Sequence, residues 1–174
     1  MIKKQKNLLI LGYGGFGKVV AETASMTGKW SKISFLDDQK QEACVLGKCE
    51  VYEKYTDQYT DAYPAFGNNA LRLKWIEKLK EAGYQVPVMV HPQAYISPSA
   101  SIEAGVIILP YAVVQSYVII KSGGIINIGA LVDHDNVLEP GVHVAPGAII
   151  KANNHIPREM KIEAGVCIQN AVFK

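Results

Sequence analysis

From Val90 onward a branched aliphatic residue returns at every sixth position, with no insertion to break the register. The series is Val90, Ile96, Ile102, Ile108, Val114, Ile120, Ile126, Val132, Leu138, Val144, Ile150, Ile156, Ile162 and Ile168. A second series, four residues further on, is mostly small: Ala94, Ala100, Val106, Ala112, Val118, Gly124, Ala130 and Ala148 belong to it, as do Asn136, Asn154 and Met160. An α-helix repeats near 3.6 residues and a strand at 2, so neither produces this spacing. A period of six is that of a parallel β-helix. Each unit supplies a short strand and a turn, and three units close one triangular coil. The fourteen units then make between four and five coils. The aliphatic residue fills the interior, and the small residue fits where two walls converge. Because each coil touches only its neighbours, the core is a stack of aliphatic columns.

The first 88 residues read differently, as alternating strand and helix. Leu8–Leu11 is a short aliphatic strand. Lys18–Met26 carries a helical apolar face and is stopped by Gly28. Lys32–Leu36 is a second strand that ends in Asp37-Asp38. The polar, tyrosine-rich stretch from Gln39 to Tyr63 shows no period. Asn69–Ala82 reads as a helix stopped by Gly83, and Val86–Val90 as a last strand before the hexad begins. The pattern implies a small parallel sheet with covering helices. The expected domains are therefore 1–88, α/β, and 89–174, all-β.

Composition narrows the function classes. Hydrophobic residues make up 49% of the chain and charged residues 20%, the mix of a globular protein. A net charge of +2 gives no reason to expect nucleic acid or an anionic membrane as partner. Cys44, Cys49 and Cys167 form neither a metal-binding spacing nor an even disulfide set, as expected of reduced thiols in the cytoplasm. The start MIKKQKN is basic, but the apolar run after it is too short for a signal peptide or a membrane span.

Chemically active groups stand out on so apolar a repeat. His134 is flanked by Asp133 and Asp135 in ALVDHDNV, at the third place of its hexad and directed away from the core. A neighbouring carboxylate orients an imidazole and makes it more basic, which suits proton removal from an attacking amine or hydroxyl. His143 follows in GVHVAPGA, half a coil on and expected at a different corner. In a threefold assembly the corners of neighbouring prisms face each other, so both histidines could reach one cleft. At the other end, LLILGYGGFGK places Gly12-x-Gly14-x-x-Gly17 between a strand and a helix, with Asp37 twenty residues after Gly17. Such glycines let backbone amides approach a diphosphate at a helix start. That diphosphate could belong to a dinucleotide or to a sugar nucleotide. Fewer than ninety residues precede the repeat, too few for a full dinucleotide fold, so NAD is not expected. Asp37 and Asp38 could accept from ribose or base, and Asn68 and Asn69 could contact base or sugar.

Taken in order along the chain, these motifs resemble the sugar-nucleotide acetyltransferases represented by bacterial PglD and NeuD. The resemblance is carried by Gly12-Tyr13-Gly14-Gly15-Phe16-Gly17-Lys18, Phe35-Leu36-Asp37-Asp38 and Phe66-Gly67-Asn68-Asn69. It continues through His91-Pro92-Gln93-Ala94, Asp133-His134-Asp135 and His143-Val144-Ala145-Pro146-Gly147-Ala148, covering nearly the whole length. It implies a Rossmann-like domain followed by a left-handed β-helix, a homotrimer, and acetyl transfer from acetyl-CoA to a nucleotide-linked sugar in surface-glycan synthesis, with no metal. His134 matches the catalytic base and Asp135 its acidic partner. His143 matches the second histidine near the acetyl group, with Ala145 and Gly147 beside it in the donor site. A backbone amide would polarise the thioester carbonyl. Gly12, Gly14, Gly15, Phe16, Asp37, Asp38, Asn68 and Asn69 match the acceptor site.

Three departures bear on that expectation. Phe16 stands where the family commonly has histidine, which removes one hydrogen bond to substrate. Pro64 lies in a strand of the family, where lack of an N–H implies a short or edge strand. The repeat is still running at Lys174, whereas relatives continue through coils that hold much of CoA. That implies a truncated chain or a short form with altered donor binding. The alternative reading is a sugar-nucleotide-binding or regulatory protein with reduced acetyl-CoA binding. A nicotinamide-dependent enzyme is a third.

Overall fold

A computed structural model describes residues 6–174, in two compact units that meet between Pro87 and Val88. The first five residues of the basic start MIKKQKN lie outside the described residues.

The first unit is built on an aliphatic run that is buried along its length. β1 (Asn7–Leu11) lies between β2 (Lys32–Leu36) and β3 (Asp61–Pro64), all parallel, in the order β2-β1-β3. Leu8 to Leu11 are fully buried, which is why the strand reads as continuous aliphatics rather than as an alternation. α1 (Gly15–Thr27) turns Gly17, Val20, Thr23 and Ala24 inward and ends at Gly28 in the left-handed conformation. It begins three residues before the expected Lys18, because Gly14 is its N-cap and the glycine turn leads straight into the helix. α2 (Asn69–Glu81) is capped by Asn68, whose side-chain oxygen accepts from the Leu71 N–H at 2.8 Å. Pro64 closes β3, an outer strand of the three.

The structure fills one gap and revises one expectation. The aperiodic stretch after Asp38 holds a 3-10 helix, Cys49–Tyr55, tied back where Asp38 Oδ1 accepts from the Cys49 N–H at 2.8 Å. Val86–Val90 is not a strand of the first sheet. Pro87 interrupts it, and Met89–Val90 pairs instead with Ile107–Ile108 in the second unit.

The second unit is a parallel β-solenoid with three walls of two-residue strands. The first wall stacks Met89–Val90, Ile107–Ile108, Ile125–Ile126, His143–Val144 and Lys161–Ile162. The second stacks Tyr95–Ile96, Val113–Val114, Leu131–Val132, Ile149–Ile150 and Cys167–Ile168. The third stacks Ser101–Ile102, Ile119–Ile120, Val137–Leu138 and His155–Ile156. Partners stand eighteen residues apart, as in Leu131↔Ile149 and Val137↔His155. The hexad aliphatics from Ile108 to Ile156 are fully buried and form the core. Between the first and second walls the tight turns use Gly129, Gly147 and Gly165 at φ of 64 to 71°. Between the second and third walls the same left-handed position carries Tyr117, Asp135 and Asn153, at φ of 59, 55 and 62°. That corner projects a side chain from each of these turns, whereas the one between the first and second walls uses glycine in three turns and Tyr111, at φ 60°, in a fourth. Among the described residues no helix is long and apolar enough to cross a membrane.

Candidate active site

His134 lies on the turn from Leu131–Val132 to Val137–Leu138, at the corner of the second and third walls. Val132 points into the core, so the two residues after it leave the wall and face solvent. Half of the His134 side chain is exposed. Its Nδ1 lies 2.7 Å from Asp135 Oδ2, so Nδ1–H donates to the carboxylate. The proton of the neutral ring is thereby fixed on Nδ1, and the Nε2 lone pair is directed outward. The Asp135 hydrogen bond, aided by the charges of Asp133 and Asp135, raises the His134 pKa above its ordinary 6.5. The His134 N–H donates to Asp133 Oδ1 at 2.8 Å, which pins the backbone of the same turn. This is an oriented, exposed imidazole with strengthened basicity.

His143 is not at a corner. It is the outward residue of a strand in the first wall, just before inward Val144. Asn127 lies beneath it one coil earlier. Its Oδ1 accepts from the Ile128 N–H, which orients the amide so that Nδ2 donates to His143 Nε2 at 3.2 Å. Within one chain, then, the two histidines occupy different sides of the solenoid. Ala145 and Gly147 follow His143, but their N–H groups donate to the Ile162 and Ile128 carbonyls of adjacent coils. Both amides are spent on coil stacking, so neither is available to polarise a thioester.

Next to His134 the outer surface of the second wall is hollowed by about 200 Å³. Val113, Leu131 and Ile149 form its apolar floor, and Gln115, Asp133 and Lys151 its polar border. An apolar floor edged by a cation fits a long, partly apolar chain with an anionic end. Among the described residues no group of three or more His, Cys, Asp or Glu side chains is placed to hold a metal ion.

In the first unit the expected site residues collect at the carboxyl ends of the three strands. β2 and β3 flank β1 on opposite sides, so the crevice beyond β1 is a topological switch point, the usual ligand position in open parallel sheets. Gly12 has φ 102°, and a Cβ there would sit 3.1 Å from the Ala65 carbonyl. At Gly17 a Cβ would lie 2.0 Å from the Gly12 carbonyl. Gly14 and Gly15 differ: a Cβ at either meets nothing within 4 Å. The start of α1 has neither a side-chain cap nor an acidic residue in its first turn, which leaves its amides and positive dipole end for an anion. Phe16 is half-buried.

The acidic pair is committed to the backbone. Asp37 accepts from the Tyr13, Gln39 and Lys40 N–H groups at 2.7 to 2.9 Å. Partial burial pushes its pKa up, but these donors outweigh it and hold the carboxyl below its ordinary value. Asn69 Oδ1 accepts from buried Arg72 at 2.9 Å. Asp37, Asp38, Asn68 and Asn69 therefore shape the loops that flank the crevice.

The PglD N-terminal domain family matches residues 7–79. The acetyltransferase domain of PglB from Neisseria gonorrhoeae, solved with acetyl coenzyme A, is 37% identical, with a TM-score of 0.92. The match covers 96% of this chain and 83% of that one. The chain belongs to this family of hexapeptide-repeat acetyltransferases. Perosamine N-acetyltransferase from Caulobacter crescentus, solved with CoA and GDP-perosamine, shares the fold at 24% identity and a TM-score of 0.77. That match covers 92% of this chain and 90% of that one. WeeI from Acinetobacter baumannii shares it at 18% identity and a TM-score of 0.66, over 94% of this chain and 96% of that one.

Within this PglD/PglB-type chain the structure adds site residues that motif reading passed over. Asn127 holds His143, and Gln115 and Lys151 border the hollow beside His134. All three directly follow an inward aliphatic, Ile126, Val114 and Ile150, as does Asp133. That hexad position is polar in most units of the repeat, so the sequence alone does not mark these three.

Proposed function

We propose that this chain is an acetyl-CoA-dependent acetyltransferase that modifies an amino or hydroxyl group of a nucleotide-linked sugar in surface-glycan synthesis. The observation that carries the reading is the 2.7 Å bond from His134 to Asp135 on the exposed corner of an acetyltransferase-family solenoid. Acetyl-CoA supplies the acetyl group as an activated thioester. As the acceptor nitrogen or oxygen bonds the acetyl carbonyl carbon, His134 Nε2 takes its proton and Asp135 stabilises the resulting imidazolium. The C–S bond then breaks, and the CoA thiolate leaves with the proton returned by His134. The hollow floored by Val113, Leu131 and Ile149 fits the donor's pantetheine-like arm, with Lys151 able to meet an anionic group. His143, held by Asn127, is assigned to the acetyl end of the donor, with the Ala145–Gly147 segment beside it.

Residues 1–88 are assigned to the sugar nucleotide and residues 89–174 to transfer. The diphosphate would take the open start of α1 at Gly14, Gly15 and Phe16, with Gly12 shaping the turn and Lys18 supplying a cation. Asp37, Asp38, Asn68 and Asn69 support that crevice. We assign the active species as a homotrimer in the cytoplasm, where both co-substrates are made. The three free thiols suit that reducing compartment.

The test is thiol detection of CoA release when acetyl-CoA is supplied with UDP- or GDP-linked amino sugars. Release is expected, and His134→Ala should abolish it with the circular dichroism spectrum unchanged. Full turnover in His134→Ala, or no affinity for acetyl-CoA by calorimetry, would overturn the assignment.

A further inference from the structure

The inner corner beneath His134 holds a polar residue where the solenoid otherwise places aliphatic or small ones. One coil earlier the position is Val118, and before that Ala100. Below His134 it is Asn136, fully buried, followed one coil later by Asn154, 2% exposed. Packing alone does not ask for an amide here, because Val118 fills the same place without exposure. A buried amide is tolerated only if its donors and acceptor are met.

The two asparagines meet that demand in parallel ways. Asn136 Nδ2 donates to the Asp133 carbonyl at 2.6 Å, and its Oδ1 accepts from the Asn154 N–H at 2.8 Å. Asn154 Nδ2 donates to the Lys151 carbonyl at 2.7 Å, and its Oδ1 accepts from the Val172 and Phe173 N–H groups. Other turns of the solenoid close through the backbone, as where the Ala130 N–H donates to the Asn127 carbonyl and the Ala148 N–H to the Ala145 carbonyl. At the His134 corner a side chain takes that carbonyl from inside. Seen from outside, the same four residues are held by the His134 N–H to Asp133 Oδ1 and by His134 Nδ1–H to Asp135 Oδ2.

We propose that Asn136 is a positioning residue for acetyl transfer: its buried amide clamps the Asp133 carbonyl and so fixes the turn that holds His134 against Asp135. The inference rests on His134 being the base. Asp135 sits at φ 55°, as Tyr117 does at 59° over Val118, so the left-handed turn itself does not need an amide beneath it. What the amide adds is a second hold on the turn: the Asp135 N–H donates to the Ser116 carbonyl at 3.0 Å, and the clamp fixes the Asp133 carbonyl two residues before it. If the clamp is released, the His134–Asp135 bond has less to hold its geometry, and base strength falls with it.

The variants are Asn136→Val, which installs the residue of the preceding coil, and Asn136→Ser, which keeps a donor able to reach the carbonyl three residues back. Asn154→Val is the control, since it breaks the same kind of bond one coil away and retains the backbone N–H that Asn136 Oδ1 uses. The first measurement is the NMR titration of the His134 ring, assigned by its loss in His134→Ala. The charged groups that act on the ring are Asp133 and Asp135, and all the variants retain both.

In Asn136→Val the His134 midpoint should fall toward the ordinary imidazole value, Asn136→Ser should recover part of the shift, and Asn154→Val should leave it in place. Turnover with acetyl-CoA and a nucleotide amino sugar should drop about tenfold or more in Asn136→Val, with the KM for acetyl-CoA unchanged. An unshifted His134 midpoint in folded Asn136→Val would overturn the proposal, as would a midpoint in Asn136→Ser that lies no nearer the wild-type value than that of Asn136→Val. So would an equal shift in Asn154→Val, which would make the effect one of general coil stability. If the wild-type chain transfers no acetyl group to any acceptor offered, the functional reading fails, and the titration still decides whether Asn136 sets the His134–Asp135 geometry.

Discussion

At the scale of single residues the chemistry depends on which nitrogen of His134 carries the proton. Asp135 holds it on Nδ1 at 2.7 Å and raises the ring's pKa, so the base acts only once the imidazolium has lost its second proton. The rate should therefore rise with pH through a midpoint above the ordinary imidazole value of 6.5. Asp135→Asn removes both the strong acceptor and its charge. The acid limb of the kcat/KM profile should then move to lower pH while the plateau falls, by about tenfold to a hundredfold. Asp133→Asn should move the limb less, because its charge ranks behind the Asp135 hydrogen bond among the causes of the shift. A limb that stays in place in Asp135→Asn would remove Asp135 from this role. Asp37 teaches a different lesson at the same scale. Its position after a strand invites a ligand contact, yet its oxygens accept from three backbone N–H groups. A carboxylate at a strand end can be there to build the loop that a ligand meets.

Among the elements, the β1–α1 turn separates glycines by what surrounds them. Gly17 is required by packing, since a Cβ would fall 2.0 Å from the Gly12 carbonyl, which is backbone and cannot swing away. Gly17→Ala should destabilise the first unit by about 3 kcal/mol, the upper end for overpacking, and be read as an early melting transition. Gly14 and Gly15 face open space, and neither has a positive φ. Gly14→Ala and Gly15→Ala should melt with the wild type yet bind a nucleotide sugar more weakly by calorimetry. Unchanged affinity in both would assign the turn to structure alone. The same contrast shows what a sequence can disclose. The hexad was legible because one constraint, an inward aliphatic, repeats in every coil and is seen without knowledge of contacts. β1 was legible because its buried apolar run, Leu8 to Leu11, is uninterrupted. The stretch between Asp38 and Asp61 was not, since it is held by single long-range bonds such as Asp38 to Cys49 and the Phe35–Val45 bridge, which leave no period. Val86–Val90 misled because its apolar residues serve two units, with Pro87 between them. In the candidate site His134 and Asp135 announced themselves by adjacency. Asn136 did not, since its work is done inside the corner and shows only in three dimensions.

For the whole molecule, the decisive fact is that one chain keeps His134 and His143 apart. His134 is on the corner between the second and third walls, and His143 is on the outer face of the first. A site that uses both must draw them from two copies, as a closed ring of three identical chains would allow. The side chains that a monomer leaves in water agree with such an assembly. Tyr95 and Leu131 on the second wall and Ile119 on the third are exposed by 53, 39 and 39%, a surface more apolar than an isolated solenoid needs. Co-expression of His134→Ala with His143→Ala tests the arrangement directly. In the proposed trimer each variant alone has three broken sites. A mixed trimer pairs the intact His134 of one copy with the intact His143 of its neighbour at one of its three interfaces. Random mixing should then restore about one quarter of wild-type turnover, a level that neither parent reaches. Sedimentation should show the mixed and parent proteins as the same trimer. Activity that stays at parental levels in a confirmed mixed trimer would mean that each chain completes its own site, and the role given to His143 would fall.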